Sequence, residues 1–484
     1  MKHLEKNRKA AFSIYLALML SVMIPLIWTM IEAARSSAIR MRIECAMDLA
    51  SDSVLAEYNR KLLDDYGLLM IDTAYGSHRG SADNLLSHIS EYVGKNLDAG
   101  KESGLLFTDL CGLKLDGTEI KELSRGSDDS SSVLRYLALS YMYEKYGISY
   151  VSDTADLISE HGSLETDGHD ITDDFDASVD SVESISVSPP EDLEEGVEWT
   201  EPEKDDPAAN VKKLRSSGIL SLVCKDSVSA RSVSLSSYAS HRSLVKGDGI
   251  PAEWEARDGI TDRLMFLEYV MEKTANYINS DKASPLLYEA EYILCGRDND
   301  TDNLRSVAER ILIIRGGANT ATYFSSTSLR EQAAAAAAAL SFVTAFPEFE
   351  AVFEAAISAA WIYVESLYDL KLIMNGKKVP AVKSESEWHY SLSSALSIGS
   401  SGPESGEGYS HGLCYEDLLR IMIFGSDEHS IAKRMSDIVE MNMRSDSSYS
   451  SFRIDDCVAA ANIQYVFKST YGYSLLAEKR FRYM

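Results

Sequence analysis

Residues 10–31 of the chain read AAFSIYLALMLSVMIPLIWTMI and contain no charged side chain. As a helix these 22 residues extend about 33 Å, at about 1.5 Å per residue, which spans the hydrocarbon core of a bilayer. A signal peptide has a shorter apolar core and a small-residue cleavage site, and Glu32 and Arg35 flank the pair Ala33–Ala34 poorly for cleavage. The segment therefore predicts a transmembrane helix, with a cleaved leader and a buried core helix as the alternatives.

Basic residues on the two sides of this segment indicate its orientation. Basic residues favour the cytoplasmic side of a membrane, although long domains are translocated largely regardless of charge. We therefore expect a single-pass protein of the cell membrane with residues 1–9 in the cytoplasm and the bulk of the chain extracellular. Four basic residues lie before the span and three follow it: Lys2, Lys6, Arg8 and Lys9, then Arg35, Arg40 and Arg42.

Beyond the membrane, the chain is expected to continue as a stalk helix over residues 32–66, and Gly67 is a typical helix end. Apolar residues recur there every three or four positions, so they share one helix face. This stripe predicts packing either against neighbouring subunits or against the protein's own head, and the sequence supports both equally. The stripe consists of Ile39, Ile43, Ala46, Ala50, Val54, Tyr58 and Leu62.

A second pattern runs through the same region. Residues 9–18 read KAAFSIYLAL, Pro25 lies mid-span, Glu32 and Arg35 close the span, and residues 45–50 read CAMDLA. This pattern resembles the start of the TadE/TadG-type pseudopilins of the tight-adherence (Tad) pilus. The resemblance implies a pilin-like subunit of a surface pilus or secretion apparatus, with other proteins of that assembly as partners.

The chain departs from that family at two positions, because Ala10 replaces a glycine and Tyr15 replaces the glutamate of processed pilins. Both departures argue against processing by a prepilin peptidase. Three later phrases are EYILCG at 291–296, GKKVP at 376–380 and FRIDDC at 452–457. On these phrases the remainder resembles an uncharacterised family of large single-pass proteins found beside Tad pilus genes in Gram-positive anaerobes.

Residues 67–150 have the pattern of a small α+β region. Short apolar runs predict buried strands, and an Asp-Gly pair between them is typical of a two-residue hairpin turn. The expected elements are a strand at 68–71, a helix at 84–96, a hairpin around Asp116–Gly117 and a helix at 133–146.

Acidic residues are concentrated in residues 151–207. About two thirds of the net charge of −28 lies between residues 153 and 206, where 20 Asp or Glu accompany one basic residue, Lys204. Such a segment buries little apolar surface and repels itself. We therefore expect an acidic disordered linker, with a cation-binding or wall-crossing tract as the alternative.

Residues 208–484 have mainly helical periodicity, followed by a Ser/Gly-rich loop at 391–408. Near the end, an alternating pattern interrupted at Tyr471–Gly472 predicts a closing β-hairpin. The whole chain is thus predicted as a mostly helical α+β protein. The predicted helices are 264–278, 303–314, 329–345 and 350–374, the last two forming a buried helical hairpin.

Charge and cysteine usage exclude several classes of protein. Nucleic-acid binding needs a basic stripe, which the larger part of the chain lacks. The cysteines form no CxxC pair, so neither a zinc ribbon nor a redox motif is indicated. We expect them to be small apolar core residues, with disulfides as the alternative. They are Cys45, Cys111, Cys224, Cys295, Cys414 and Cys457.

One stretch has the spacing of a calcium loop. Asp298, Asp300, Asp302 and Glu309 occupy positions 1, 3, 5 and 12 of such a loop. However, position 6 is Asn303 instead of glycine, and the same letters make a helix start with a capping Asp or Asn. Helix capping is the prediction for these residues, and calcium binding is the alternative.

The sequence has no HExxH, P-loop, or GxGxxG after a strand. His411 and Cys414 lie three apart, but a loop histidine and a core cysteine explain them without a nucleophile and base. We expect no enzyme, no cofactor and no small-molecule substrate. The predicted function is a membrane-anchored structural or assembly component of a pilus or secretion apparatus. The alternative is a membrane-tethered ectodomain that binds or senses a ligand or ion.

Overall fold

A computed structural model describes residues 2–77, 79–98, 111–165, 171–184, 207–225, 227–252, 254–280, 283–343 and 347–483. These residues form a mostly helical α+β fold, as the sequence predicts. They divide into two compact units, each assembled from segments that are distant in sequence. The anchor unit comprises Met1–Leu137, Leu244–Glu255 and Ser447–Met484, and the helical unit comprises Ala138–Ser243 and Ala256–Asp446.

The anchor unit is an antiparallel sheet with helices packed on it. Its central strand pairs on one edge with a long strand from the N-terminal part of the chain, and on the other edge with the last strand and a two-residue strand. In chain order the elements are α1 (Lys2–Leu55), α2 (Arg60–Tyr66), β1 (Ile71–Asp72), α3 (Ala82–Asp98), β2 (Leu113–Arg125), the start of α4 (Asp128–Tyr146), β3 (Cys457–Ser469) and β4 (Ser474–Arg482).

The second half of α1 packs on its own unit. The side chains of the predicted stripe from residue 39 to residue 54 are buried, and α1 lies against α3 and β4. Of the two predicted packing partners of this stripe, a neighbouring subunit or the protein's own head, the structure shows the protein's own head. The buried members are Ile39, Ile43, Ala46, Ala50 and Val54.

The prediction of one unbroken stalk helix to residue 66 is wrong. α1 ends at Leu55, and a new helix, α2, begins after Asn59. The Asn59 side chain accepts a hydrogen bond from the backbone N–H of Leu62 at 3.1 Å, and its own N–H donates to the carbonyl of Met70 at 2.9 Å. This N-cap interrupts the apolar stripe. α2 ends at Gly67 in the left-handed region (φ +69°), as predicted.

The predicted hairpin at Asp116–Gly117 is also wrong. β2 continues through both residues, because β3 supplies a partner along its whole length: Leu115 pairs with Phe467 and Gly117 with Val466. Asp116 is the extra residue of a β-bulge, and its carboxylate lies 2.9 Å from the ammonium of Lys468. Long-range strand pairing thus overrides the local turn preference.

The closing β-hairpin is confirmed, with β3 and β4 joined at Tyr471–Gly472. Its place in the molecule differs from the prediction, since residues 208–484 do not form one region. The hairpin completes the sheet of the anchor unit, and only the stretches 138–243 and 256–446 belong to the helical unit. The two ordered parts predicted on either side of the acidic tract are therefore interleaved.

The helical unit contains the end of α4 and the α-helices from α5 to α16. The predicted helices at 264–278, 303–314 and 329–345 are present with shifted ends, and the helix at 350–374 is found with the predicted bounds. Beyond the end of α4, the unit contains α5 (Ser152–His161), α6 (Ile171–Glu183), α7 (Ala209–Ser216), α8 (Ile219–Val223), α9 (Ile260–Lys273), α10 (Glu289–Cys295), α11 (Asp300–Ser325), α12 (Thr327–Val343), α13 (Glu350–Met374), α14 (Leu392–Leu396), α15 (Tyr415–Gly425) and α16 (Glu428–Ser445).

The prediction of disorder across residues 151–207 is wrong for its described parts. α5 and α6 lie inside this tract, and α6 packs against α13. Its apolar residues Ile171, Phe175, Val179 and Val182 are buried at helical spacing, while the acidic residues between them face outward. The high acidic content of the tract as a whole obscured the amphipathic pattern of α6. Residues 166–170 and 185–206 of the tract lie outside the described residues.

The helical hairpin of α12 and α13 is confirmed, but only α13 is buried over most of its length. The alanine-rich α12 buries one narrow stripe that includes Ala333 and Ala337. The Ser/Gly-rich stretch 391–408 is described and includes the short α14, so it is not a loop throughout.

The cysteines follow the core prediction only in part. All six are free thiols; Cys111 and Cys457 are buried, Cys45 is exposed on α1, and the other three are half-buried. Cys45 therefore corrects the prediction, because it lies on the face of α1 opposite the buried stripe.

Packing of α1 on its own unit makes a matched pair of substitutions informative. Ile43 is 4% exposed and Leu49, on the same helix, is 53% exposed. We expect Ile43→Ala to lower the free energy of unfolding by about 2–4 kcal/mol, and Leu49→Ala to change it by less than about 0.5 kcal/mol. Denaturant unfolding of the detergent-solubilised chain measures both. Equal losses at the two positions would contradict the packing.

Candidate functional site

The apolar first half of α1 is uncovered by the rest of the chain. Every side chain from Phe12 to Ile31 is exposed. The helix is long and apolar enough to cross a membrane. A core helix of a soluble protein would be mostly buried, so the alternative of a buried core helix is wrong. The segment is compatible with a membrane anchor.

Two charged side chains mark the end of this apolar surface, and both contact the turn between β3 and β4. Arg35 Nη1 lies 3.0 Å from Glu32 Oε2, and the Arg35 guanidinium carbon lies 4.0 Å from the centre of the Tyr471 ring. The Tyr473 hydroxyl donates a hydrogen bond to Glu32, and this bond raises the pKa of Tyr473. The closing acidic and basic residues of the predicted pattern therefore fasten the helix to the hairpin.

The geometry of the turn brings both tyrosines to the helix. Gly472 has φ +86°, a left-handed conformation that a side chain would strain. Its N–H donates to the Ser469 carbonyl at 3.1 Å, and the Ser469 N–H donates to the Tyr473 carbonyl at 2.8 Å. This tight closure presents Tyr471 and Tyr473 next to each other at the end of the sheet.

Farther along, α1 is held by two more charged contacts. Arg42 Nη2 donates to the Leu97 carbonyl at 2.6 Å, in the last turn of α3, where a cation is favoured by the helix dipole. The Lys479 ammonium on β4 pairs with the Asp48 carboxylate. Together with the buried stripe, these contacts fix the second half of α1 in the anchor unit.

The four candidate calcium ligands, Asp298, Asp300, Asp302 and Glu309, do not form a common site, because they have different surroundings. Asp300 is buried, and its carboxylate accepts from the backbone N–H groups of Leu287 (3.1 Å) and Tyr288 (3.2 Å) and from the Ser229 hydroxyl (2.6 Å). Glu309 is exposed on α11. Within the described part of the chain, no group of three or more His, Cys, Asp or Glu is placed to hold a metal ion.

The capping prediction for the same stretch is confirmed. Asn299 is the N-cap of α11, and its side chain accepts from the backbone N–H of Asp302 at 2.8 Å. The Asp302 carboxylate lies 2.7 Å from Arg305, and Asp298 accepts from the Asn299 amide at 2.9 Å. These residues start a helix.

His411 and Cys414 are also separated in their contacts. Cys414 is the N-cap residue of α15, its thiol donates to the Asp417 carboxylate at 3.1 Å, and burial raises the pKa of this thiol. The exposed His411 lies 3.4 Å from Glu387. Since a raised pKa lowers the thiolate fraction, Cys414 lacks the environment of an activated nucleophile.

A buried ionic network lies between α11, α13 and residue 383. Arg315 and Asp369 approach to 2.9 Å, Lys383 lies 2.5 Å from Asp369, and Lys383 also pairs with Glu365. All four side chains are almost inaccessible to solvent. Burial alone would lower the pKa of Lys383, but the carboxylates of Asp369 and Glu365 raise it. Two acidic residues four apart in an apolar helix were the only sequence feature that pointed to this network.

Two further buried carboxylates come from α10. Glu289 accepts from the Ala275 N–H at 2.8 Å and from the Ser284 hydroxyl at 2.7 Å. Glu291 Oε1 accepts from the Tyr277 N–H at 2.8 Å and the Tyr415 hydroxyl at 2.6 Å, while its Oε2 has no hydrogen-bond partner among the described residues. Burial raises the pKa of Glu291 to about 7. Sequence inspection did not single out either residue as buried.

A cavity of about 630 Å³ lies within the helical unit, a volume typical of small-ligand sites. α6, α11 and α13 supply most of its wall. Its lining is mainly apolar, with polar groups among it. Examples of the apolar and polar lining are Ala355, Ile362 and Phe324, with Asp174, Arg330 and Glu354.

Comparison with known proteins adds a family to this architecture. The model of a family described as a family of unknown function (DUF5702) matches residues 197–469, more than half of the chain. The chain belongs to this family. No curated protein and no solved structure matches the chain.

The three phrases EYILCG, GKKVP and FRIDDC all lie inside the family segment, and each serves internal contacts. The first contains Glu291. In the second, the Pro380 carbonyl accepts from Arg315 at 2.7 Å. In the third, the Asp456 side chain accepts from the Gly80 N–H at 3.0 Å. These phrases maintain the fold, whereas the apolar half of α1 lies outside the family segment.

Glu291 makes the stability of the chain depend on pH. The folded chain keeps a proton on Glu291 up to a pKa of about 7, against an ordinary value of 4.5. The folded state therefore binds more protons between these values, and its stability falls as pH rises through this window. Glutamine does not titrate, so the Glu291→Gln variant should not lose this stability. Its free energy of unfolding, measured relative to that of the parent, should rise by about 2–3 kcal/mol between pH 5 and pH 8.

Tyr415→Phe is the matched variant for this measurement. It removes the hydroxyl that hydrogen-bonds Glu291 and lowers its pKa, so the loss of stability with rising pH should extend to higher pH than in the parent. A Gln variant whose stability relative to the parent is the same at pH 5 and pH 8 would show that Glu291 is ionised in the folded chain at both.

Proposed function

We propose that this chain is a membrane-anchored structural or assembly component of a surface pilus or secretion apparatus. The observation that carries the proposal is a single helix with two environments: residues 12–31 are exposed and apolar, while the second half is packed into a folded unit. In this proposal the first half crosses the cell membrane, residues 1–9 lie in the cytoplasm, and the rest of the chain is extracellular.

The exposed apolar half needs a non-aqueous environment. Its Phe, Leu, Ile, Met, Val and Trp side chains are each about half exposed or more. Burying one such side chain contributes about 1.5–3 kcal/mol, so leaving the whole segment in water costs on the order of tens of kcal/mol. A bilayer supplies this environment, and the length of the segment matches it.

Rigid attachment favours an assembly role over a simple tether. α1 runs without a break from Lys2 to Leu55, so no flexible linker separates the apolar segment from the anchor unit. A continuous helix holds the head at a fixed position relative to the apolar segment, which suits a subunit that must meet neighbours in one geometry. The resemblance of residues 9–50 to TadE/TadG-type pseudopilins supports the same role.

The polar clusters support a structural role for the helical unit. Asp300, Glu365 and Asp369 are each engaged by hydrogen bonds or ion pairs within the protein. Groups with this many internal partners maintain a fold and are poorly available to a substrate.

Labelling of the native cysteines tests on which side of the membrane the folded part of the chain lies. Cys45 is exposed about 21 Å beyond the apolar segment, at about 1.5 Å per residue, whereas the other cysteines are buried or half-buried. A membrane-impermeant maleimide should label the parent in intact cells but not the Cys45→Ser variant. Labelling of Cys45 only after the cells are opened would place the head in the cytoplasm and contradict the proposed orientation.

The assembly role is tested with a photo-crosslinking amino acid at Ile24, which is 59% exposed on the apolar half of α1. Irradiation of cells should join the chain to another membrane protein of the apparatus, identified by mass spectrometry. The same residue placed at Leu476, exposed on β4, is the control for non-specific capture. Adducts with lipid alone at Ile24 would contradict the assembly role.

The cavity of the helical unit favours a second candidate function, a membrane-tethered ectodomain that binds a small, largely apolar ligand. Its volume and mixed lining are those of small-molecule sites. An absence of protein partners at Ile24 would make this candidate the leading one.

A further inference from the structure

The turn between β3 and β4 lies level with the end of the apolar segment. The segment ends at Ile31, and Arg35, whose guanidinium lies over the Tyr471 ring, follows four residues later. Four helical residues rise about 6 Å. Tyr471 is therefore held about one helical turn beyond the surface that the first half of α1 presents.

This distance coincides with the headgroup layer of a bilayer. The hydrocarbon core is about 30 Å thick and the whole bilayer about 40–45 Å, so each polar layer is roughly 5–8 Å thick. If residues 12–31 occupy the core, Glu32, Arg35 and the turn occupy the polar layer. The second half of α1 is clamped to the same sheet, so the turn cannot move away from the membrane without disrupting the anchor unit.

The side chains at the turn have the chemistry of this layer. Tyr471 is 46% exposed, with an apolar ring and a polar hydroxyl. Tyr and Trp are enriched where hydrocarbon meets water because they satisfy both environments. Trp28, within the last turn of the apolar segment, is 68% exposed. The guanidinium of Arg35 adds a cation at the level of the lipid phosphates.

We propose that the β3–β4 turn is a second membrane contact, in which Tyr471 inserts into the lipid headgroup layer beside α1. The inference rests on the proposed function, since it requires α1 to cross a membrane. It adds that the anchor unit sits directly on the bilayer, touching it at two points, the helix and the hairpin. Two points of contact fix the tilt of the sheet relative to the membrane, which a lone helix leaves free.

The polar environment of Glu32 fits this position. A carboxylate at the edge of hydrocarbon is costly unless it is paired, and here Arg35 and the Tyr473 hydroxyl both bind it. The same two partners connect it to the hairpin turn. The contact that neutralises the first charge outside the membrane is thus also the contact that holds Tyr471 at the surface.

The test uses the full chain reconstituted in vesicles of phosphatidylcholine and phosphatidylglycerol. A photo-crosslinking amino acid replaces Tyr471 in one variant and Leu476 in the other. Leu476 is also exposed, but it is the third residue of β4, which runs from the turn along α1 and away from the apolar segment toward the Lys479–Asp48 contact. Flotation of the vesicles measures anchoring, and mass spectrometry after irradiation measures lipid adducts.

We expect both variants to float with the vesicles, and the variant at position 471 to form several-fold more lipid adducts than the variant at position 476. Flotation with equal adducts at the two positions, or with adducts at position 471 only to a second copy of the chain, would overturn the hairpin contact and leave the anchor in place. Failure of the parent chain to float would overturn the membrane anchor itself, and the hairpin contact with it.

Discussion

Burial of one face of α1 by the unit that begins with it is the constraint on which the anchor unit depends. Ile39, Ile43 and Val54 are buried where α1 packs against α3 and the sheet, and the sheet exists only because β3 returns from the far end of the chain. The same helix continues as the exposed apolar segment. Packing inside the unit therefore determines where the apolar surface emerges and which loop lies beside it.

The helical unit depends on a different interaction, the burial of carboxylates that accept hydrogen bonds or form ion pairs within the protein. Asp300 binds two backbone N–H groups, Glu365 binds those of His389 and Tyr390, and Asp369 binds Arg315. Each connects segments that no sheet joins. Removing one partner of such a group costs about 3–5 kcal/mol, because a buried charge is left uncompensated. Glu291, with one oxygen unpartnered, remains protonated to higher pH instead.

The sequence predicted correctly those elements that are determined by interactions between residues close together in the chain. The apolar segment, α13, the cap of α11 and the β3–β4 turn follow from periodicity, capping and turn preferences, and they are found where the sequence puts them. Prediction failed where distant residues decide the outcome. Asp116–Gly117 lies in a strand because β3 arrives from residues 457–469, and α6 is ordered because α13 covers its apolar face. The link between Glu32 and Tyr473 joins residues 441 apart, and no local pattern encodes it.

The order of synthesis adds a consequence to this long-range pairing. β2 is complete before the helical unit begins, yet its partner β3 lies beyond the last helix of that unit, and the family segment from residue 197 contains β3 without β2. The sheet can therefore close only after the helical unit has been synthesised. Until then, β4 is missing from the surface that covers α1, and the turn that holds Glu32 and Arg35 is missing as well. Placement of the head beside the apolar segment therefore has to wait until the helical unit in between has been synthesised.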